Sequence, residues 1–381
     1  MIKQIRFVFA VGVLAASGSA SATDCPTAVS SYDSYISLLQ FSNAELVKAA
    51  HPECFGGSSL NTAAAAQAIQ STTIEQMLVI SSSVSARFAP VGAPPGRTAD
   101  SGERKGIAAG NPAGKWNVWG SVAESEFKFD RGTYDLGGVV AGARTNRFDN
   151  RIQNVVIGAD YQWAPDFALG LSGAFDNGRG SAASYTLAAP DAAKPVSTNG
   201  YSIAPYFGWQ INKSWALDAA IGWGNGESTA SGNIKTDSRR FFYGTNLTYS
   251  NWYGNWQVSG KGGYLFGQEK ADDSVVGGVT KAGTKITNEV GQFRIGGQAA
   301  YWMNGVMPYF GLAYAADNRS STASAAQQDA TAMGKNAWVW SLGANFISIK
   351  NAMTGGIGYE QETGRSRSKN NKLMANINVR F

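Results

Sequence analysis

Histidine occurs once in the 381 residues, as His51, and it lies far from any Gly-x-Ser-x-Gly segment. A serine triad or a histidine-dependent protease needs that imidazole beside a nucleophile and a carboxylate. This inventory cannot assemble one, so no catalytic residue and no cofactor-binding motif is expected. Cys25 and Cys54 are the two cysteines. A metal site would need further ligands, which are missing, so the pair is expected to form a disulfide stabilising the segment by about 3–4 kcal/mol. The remaining chemistry-bearing side chains are lone charges on polar faces of alternating segments: Asp160, Asp218, Lys261, Arg294, Glu360 and Arg380. They can pair with one another in a solvated interior, or they can line a pore.

The elements that would position these groups begin with an export signal. Lys3 and Arg6 precede an apolar run from Phe7 to Ala16, and Ala20-Ser21-Ala22 closes it with small residues. That order is the pattern of a secretory signal peptide over residues 1–22, so the mature chain is expected to enter the Sec export pathway and begin at Thr23. No tryptophan occurs before Trp116, and residues 23–89 read as helical. Ser42 with Glu45, and Thr72 with Glu75, have capping-box spacing. Ile74, Met77, Leu78, Val84 and Phe88 share a helical face opposite a serine-rich one, predicting a helix over 73–87, about 22 Å long. Residues 90–114 are rich in proline and glycine and read as a linker.

From residue 115 the period becomes two. Leu373, Ala375, Ile377, Val379 and Phe381 alternate with Met374, Asn376, Asn378 and Arg380. Trp338, Trp340, Leu342, Ala344 and Phe346 alternate with Val339, Ser341, Gly343 and Asn345. Val155, Ile157, Ala159, Tyr161 and Trp163 alternate with Asn154, Val156, Gly158, Asp160 and Gln162. Charged residues make up only 15% of the chain and aromatics 12%, which excludes a disordered chain. No later stretch is apolar enough for a membrane helix. Net charge is +5, or +3 once Lys3 and Arg6 are cleaved, too mild for a nucleic-acid partner.

One apolar face, one polar face and aromatics at segment ends (Trp163, Trp215, Trp223, Trp302, Trp338) predict an all-β fold, an antiparallel transmembrane β-barrel of about twelve strands. The strands are expected at 115–129, 151–163, 167–178, 198–209, 214–224, 239–251, 254–267, 286–302, 305–316, 335–348, 351–362 and 367–381. Short turns alternate with long polar stretches near 130–150, 179–197, 225–238, 268–285 and 317–334, as periplasmic turns and external loops do. The arginines at Arg239-Arg240 and the cluster Arg365, Arg367 and Lys369 read as solvated strand ends rather than lipid contacts. A monomeric barrel in outer-membrane lipid follows.

The last strand, ending in Ile377-Asn-Val379-Arg-Phe381, resembles the C-terminal signal of bacterial outer-membrane proteins, which implies recognition by the barrel-assembly machinery. From Gln70 to the C-terminus the chain is similar to the autotransporter translocator domain of type V secretion. The resemblance rests on the helix before the barrel, on Trp116, Trp119 and Gly120, on Val156, Gly158, Asp160 and Tyr161, on Leu169, Gly170, Leu171 and Gly173, and on the terminal Phe381. It implies that the helix sits in the lumen, where Asp160, Asp218, Lys261, Arg294 and Glu360 hold it or line a pore. The expected function is to anchor or display the short N-terminal segment at the surface of a Gram-negative cell. The alternatives are a small-solute channel with a periplasmic N-terminal segment, and an adhesin acting through its external loops.

Overall fold

The structure is a computed structural model that describes residues 58–88, 115–130, 145–186, 189–190, 193–230, 233–322, 333–348 and 352–381. The export signal, His51, the Cys25–Cys54 pair, the Ser42/Glu45 spacing and the linker at 90–114 lie outside the described residues.

A single helix, α1 (Ser58–Phe88), precedes the strands among the described residues. Its first half carries Ala63 to Ala66, Ala68 and Gln67, all good helix formers, and it ends just before Pro90, which cannot continue a helix. The start expected at Thr72 is therefore corrected. Thr72 and Glu75 do not cap, because both are mid-helix and direct their polar atoms at the surrounding wall: Thr72 Oγ1 lies 2.9 Å from Thr198 Oγ1, and Glu75 accepts from Ser125 at 2.8 Å.

Twelve long strands follow: β1 (Trp116–Asp130), β2 (Thr145–Ala164), β3 (Phe167–Thr186), β4 (Lys194–Gln210), β5 (Trp215–Ala230), β6 (Ile234–Tyr253), β7 (Trp256–Ala271), β8 (Ile286–Tyr301), β9 (Val306–Ser321), β10 (Asn336–Ser348), β11 (Met353–Thr363) and β12 (Ser368–Arg380). Each pairs antiparallel with its sequence neighbours, and β1 pairs with β12 from Asn117–Arg380 to Phe129–Ser368. That seam closes the sheet, so no strand edge is left with unpaired amides, the condition for crossing hydrocarbon with strands.

Alternation sets the two faces. Val155, Ile157, Leu171, Phe175, Ile203, Phe293, Ile295, Leu342 and Ile377 are exposed on the outside, while Asn154, Val156, Asp160, Ser172, Asp176 and Ser202 are buried inside. The aromatics Trp163, Trp215, Trp223 and Trp338 face outward. Trp302 does not. It packs inward with Ala300, Met307 and Ile347, because it continues the inward alternation of Gln292 and Ala300.

The connections at one end are tight, as at β2–β3, β6–β7 and β8–β9. The last reverses direction over Asn304 (φ 50°) and Gly305 (φ 95°), with Met303 and Val306 exchanging backbone hydrogen bonds at 2.8 and 3.2 Å. Asn-Gly tolerates those positive angles, which a primed hairpin turn demands. At the opposite end, part of what reads as loop is strand. β3 continues to Thr186, and β5 and β6 are separated only by residues 231–233. Their serines, glycines and alanines keep the ladder pairing above the apolar band; composition alone made them look like loops.

Candidate functional site

The helix lies inside the barrel, and its polar contacts climb the wall in chain order. Near the end carrying the tall strand extensions, Glu75 accepts from Ser125 Oγ at 2.8 Å and Asn370 Nδ2 at 2.5 Å, and pairs with Lys372 Nζ at 3.1 Å. Within the same turn, Thr73 Oγ1 donates to Glu269 at 2.7 Å, and Gln76 Nε2 donates to Asp176 at 2.6 Å. Gln76 Oε1 accepts from Ser202 at 2.6 Å. Arg240 joins these groups, pairing with Asp176 at 2.6 Å and Glu269 at 3.1 Å, with Ser238 completing the shell of Glu269 at 2.6 Å. Midway, Asn246 Nδ2 donates to Ser81 at 3.2 Å and to Asp218 at 2.8 Å.

The end with the tight turns holds the last helical turn. Arg87 donates twice to Asp160, through Nη2 at 2.9 Å and Nε at 3.1 Å. Asp160 Oδ2 also accepts from Asn117 Nδ2 at 3.0 Å and from the Tyr206 hydroxyl at 3.1 Å, and Trp119 Nε1 donates to that hydroxyl at 2.6 Å. Phe88 meets the Tyr206 ring edge-on, with centroids 6.0 Å apart. Between these polar clusters Met77, Val79, Ile80 and Val84 pack on Val156, Ala174, Ala204, Phe242 and Leu265. Two wall glycines make room: a Cβ at Gly208 would strike the Phe88 ring, and one at Gly267 would strike Met77.

Of the charges singled out in the sequence, Asp160 thus meets the helix through Arg87, and Asp218 meets it through Ser85 and by way of Asn246. Arg294 Nη2 bridges from β8 to Glu360 on β11 at 3.1 Å. Lys261 lies within electrostatic reach of the carboxylates of Asp218 and Glu360. Arg380 donates to Gln162 near the β1–β12 seam. Ile377 and Phe381 are exposed on the outer surface, and the Phe381 amide donates to the Trp116 carbonyl at 2.9 Å.

Two readings of arginines as solvated strand ends are corrected. Arg240 points inward and is buried against two carboxylates, whereas its neighbour Arg239 is exposed. Arg365 is buried between Asp317 at 2.7 Å and Glu362 at 2.8 Å. Strand parity could have found the first. Arg240 shares its face with Phe242 and Asn246, and Asp176 shares its face with Ala174 and Ser172.

The helix is seated off-centre, against β2 to β7. On the other side a cavity of about 320 Å³ lies between its Ser81, Ser82 and Ser85 and the walls of β6 to β12. The charged residues lining it are Lys261, Arg294 and Glu360. No helix of the described residues is long and apolar enough to cross a membrane.

The Autotransporter beta-domain family matches residues 129–360. No curated protein sequence matches. Among solved structures, the translocator domain of the autotransporter NalP from Neisseria meningitidis aligns with a TM-score of 0.53 at 11% identity, over 71% of this chain and 90% of that one. The beta domain of the Bordetella autotransporter BrkA gives 0.50 at 12% identity, over 70% and 100%. The transport unit of AIDA-I from Escherichia coli gives 0.50 at 14% identity, over 80% and 99%. At such identities these structures speak for the fold alone. With the family match spanning more than half the sequence and a closed twelve-stranded wall around an N-terminal helix, the chain belongs to the autotransporter β-domain family and is an outer-membrane barrel of a Gram-negative bacterium.

Proposed function

We propose that this barrel carries the residues upstream of Ser58 to the cell surface and holds them there, with α1 as the tether through the lumen. The observation that carries this reading is the direction of the helix. Its contacts run from Glu75, level with Ser125 and Asn370 near the end with the long connections, to Arg87 and Phe88, level with Asp160 and Gly208 near the tight turns. Long connections face outward and tight turns face the periplasm in outer-membrane barrels. The chain entering α1 from its N-terminal side therefore emerges at the outer face. The inward charges Asp160, Asp218, Lys261, Arg294, Glu360 and Arg380 serve the lumen, and those nearest the helix fix its position.

The displayed cargo is the short segment at 23–57, closed by the Cys25–Cys54 disulfide, and the barrel acts as a transport unit without catalysis of its own. Sec export delivers it, and the assembly machinery recognises Ile377, Val379 and Phe381 on a monomeric barrel. Display is tested by inserting an epitope after Thr23 and labelling intact cells. Labelling without permeabilisation supports it; labelling only after the outer membrane is opened refutes it and favours the periplasmic arrangement.

A further inference from the structure

The outer rim of the barrel changes character around its circumference. Trp223, Phe241, Tyr243 and Trp338 mark it with aromatics, the usual anchors at a headgroup interface. On β12, β1 and β2 no aromatic among the described residues faces outward above the apolar row of Ala375, Val122 and Val155. The outward positions above that row carry charge instead. Counted up β2 from Trp163 beside the tight turn, twelve residues at about 3.3 Å and a tilt of about 40° lift Arg151 about 30 Å, just past an apolar belt of about 25 Å. That is the depth of lipid phosphates rather than of acyl chains.

Two pairs of like charges stand at this level. Arg151 on β2 lies directly opposite Arg179 on β3, and Lys128 on β1 lies directly opposite Lys369 on β12, which reads in sequence as a solvated strand end. All four are exposed. Like charges in directly opposed positions work against the sheet unless an anion lies between them. Carboxylates on β1 answer part of this charge, since Glu126 meets Lys128 at 2.7 Å and Glu124 meets Arg151 at 3.4 Å. Exposed pairs of that kind hold weakly, so both cations stay available. Over the outward face of these rows Lys128, Arg147, Arg151, Arg179, Arg367 and Lys369 stand against Glu124, Glu126, Asp130 and Asp149, which leaves two positive charges in excess.

We propose that this face of β12 to β3 binds the bisphosphorylated disaccharide headgroup of an outer-leaflet glycolipid. The two basic pairs are two strand spacings and two residues apart, or about 12 Å with strands about 4.8 Å apart. A disaccharide carrying a phosphate at each end spans such a gap, whereas a headgroup with one phosphate reaches one pair only. Arg151 and Arg179 offer planar, forked donors to one phosphate, and Lys128 and Lys369 offer point charges to the other. Below them the exposed side chains of Val122, Val155, Leu171 and Phe175 present an apolar surface to the acyl chains. The site needs the long connections to face outward, but not that the segment upstream of α1 be displayed. Labelling of intact cells therefore decides display, and lipid binding decides this site.

Native mass spectrometry of the purified full barrel in dodecyl maltoside tests it, with bisphosphoryl lipid A as probe and monophosphoryl lipid A and phosphatidylglycerol as controls. The bisphosphoryl form is expected to bind at least tenfold tighter than either control. Arg151→Gln with Arg179→Gln should weaken it at least tenfold. Arg239→Gln with Lys270→Gln, an opposed pair on β6 and β7 that loses the same charge, should leave it within twofold. Heat-modifiable gel migration checks that each variant is a closed barrel; should the first double variant fail that check, Lys128→Gln with Lys369→Gln carries the same expectation. Inorganic phosphate at millimolar concentration should not displace the lipid. No binding of bisphosphoryl lipid A, equal binding of a control lipid, unchanged binding by the folded variant, equal weakening by the β6–β7 variant, or displacement by inorganic phosphate would each overturn the proposal.

Discussion

Replacing Arg87 with methionine is the sharpest test of how the helix is held. Arg87 and Asp160 are almost fully enclosed, with side-chain exposures of 2% and 1%. Removing one member of a buried ion pair costs about 3–5 kcal/mol, because the other charge is left without its counter-ion. Asp160 would keep its bonds from Asn117 and Tyr206, so the lower end, about 3 kcal/mol, is expected. At about 1.4 kcal/mol per decade, the ratio of unseated to seated helix should then rise by about two orders of magnitude. Planar-bilayer recording reads this directly, since a departing helix opens the lumen: the fraction of time in a large-conductance state should increase accordingly. The double variant Arg87→Met with Asp160→Asn removes both charges and should recover most of the loss. An Arg87→Met barrel that opens no more often than the parent, or a double variant no better than the single, would refute the assignment of this pair as the periplasmic anchor.

Three further outcomes follow from the same contacts. Gly208→Val and Gly267→Leu should push side chains into Phe88 and Met77 and destabilise the seated helix by about 1–3 kcal/mol, seen as protease access to α1, whereas Gly173→Val, with nothing within 4 Å of its Cβ, should behave like the parent. Leu342→Arg should cost about 2–4 kcal/mol by placing charge in the apolar belt, and Asn345→Arg on the opposite face should be far milder; heat-modifiable migration compares the two. Deleting Phe381 removes the amide that closes onto Trp116 and the terminal aromatic, and should lower the yield of assembled barrel in outer-membrane fractions.

The wall was readable because lipid imposes a severe rule on it. Every second residue of strands such as β10 and β12 must be apolar, so Leu342 and Ile377 declare their face without help from the rest of the chain. The lumen imposes no such rule. Helix and wall meet there through mixed polar and apolar contacts, and a buried Gln76, Thr73 or Glu75 looks in sequence like a solvated residue. The partners that give these groups meaning are distant: Glu75 meets Lys372, and Gln76 meets Asp176 and Arg240. For the same reason nothing local marks Trp119 as a lumen donor to Tyr206. Arg365 was hidden by a different effect: it lies in the connection between β11 and β12, where Asp317 and Glu362 enclose a residue that belongs to no strand.

The uneven strand lengths have a consequence for whatever leaves the barrel. β3 has 20 residues and β11 has 11. With about 3.3 Å per residue and a tilt of about 40°, the wall rises about 50 Å along β3 but only about 28 Å along β11. Against an apolar belt of about 25 Å, the first stands well clear of the lipid headgroups and the second ends close to them. The mouth is therefore cut obliquely, like a spout, and α1 leans on its high side. Antibodies, proteases and neighbouring surface molecules reaching for the lumen would meet a lower strand wall along β10 to β12 than along β2 and β3.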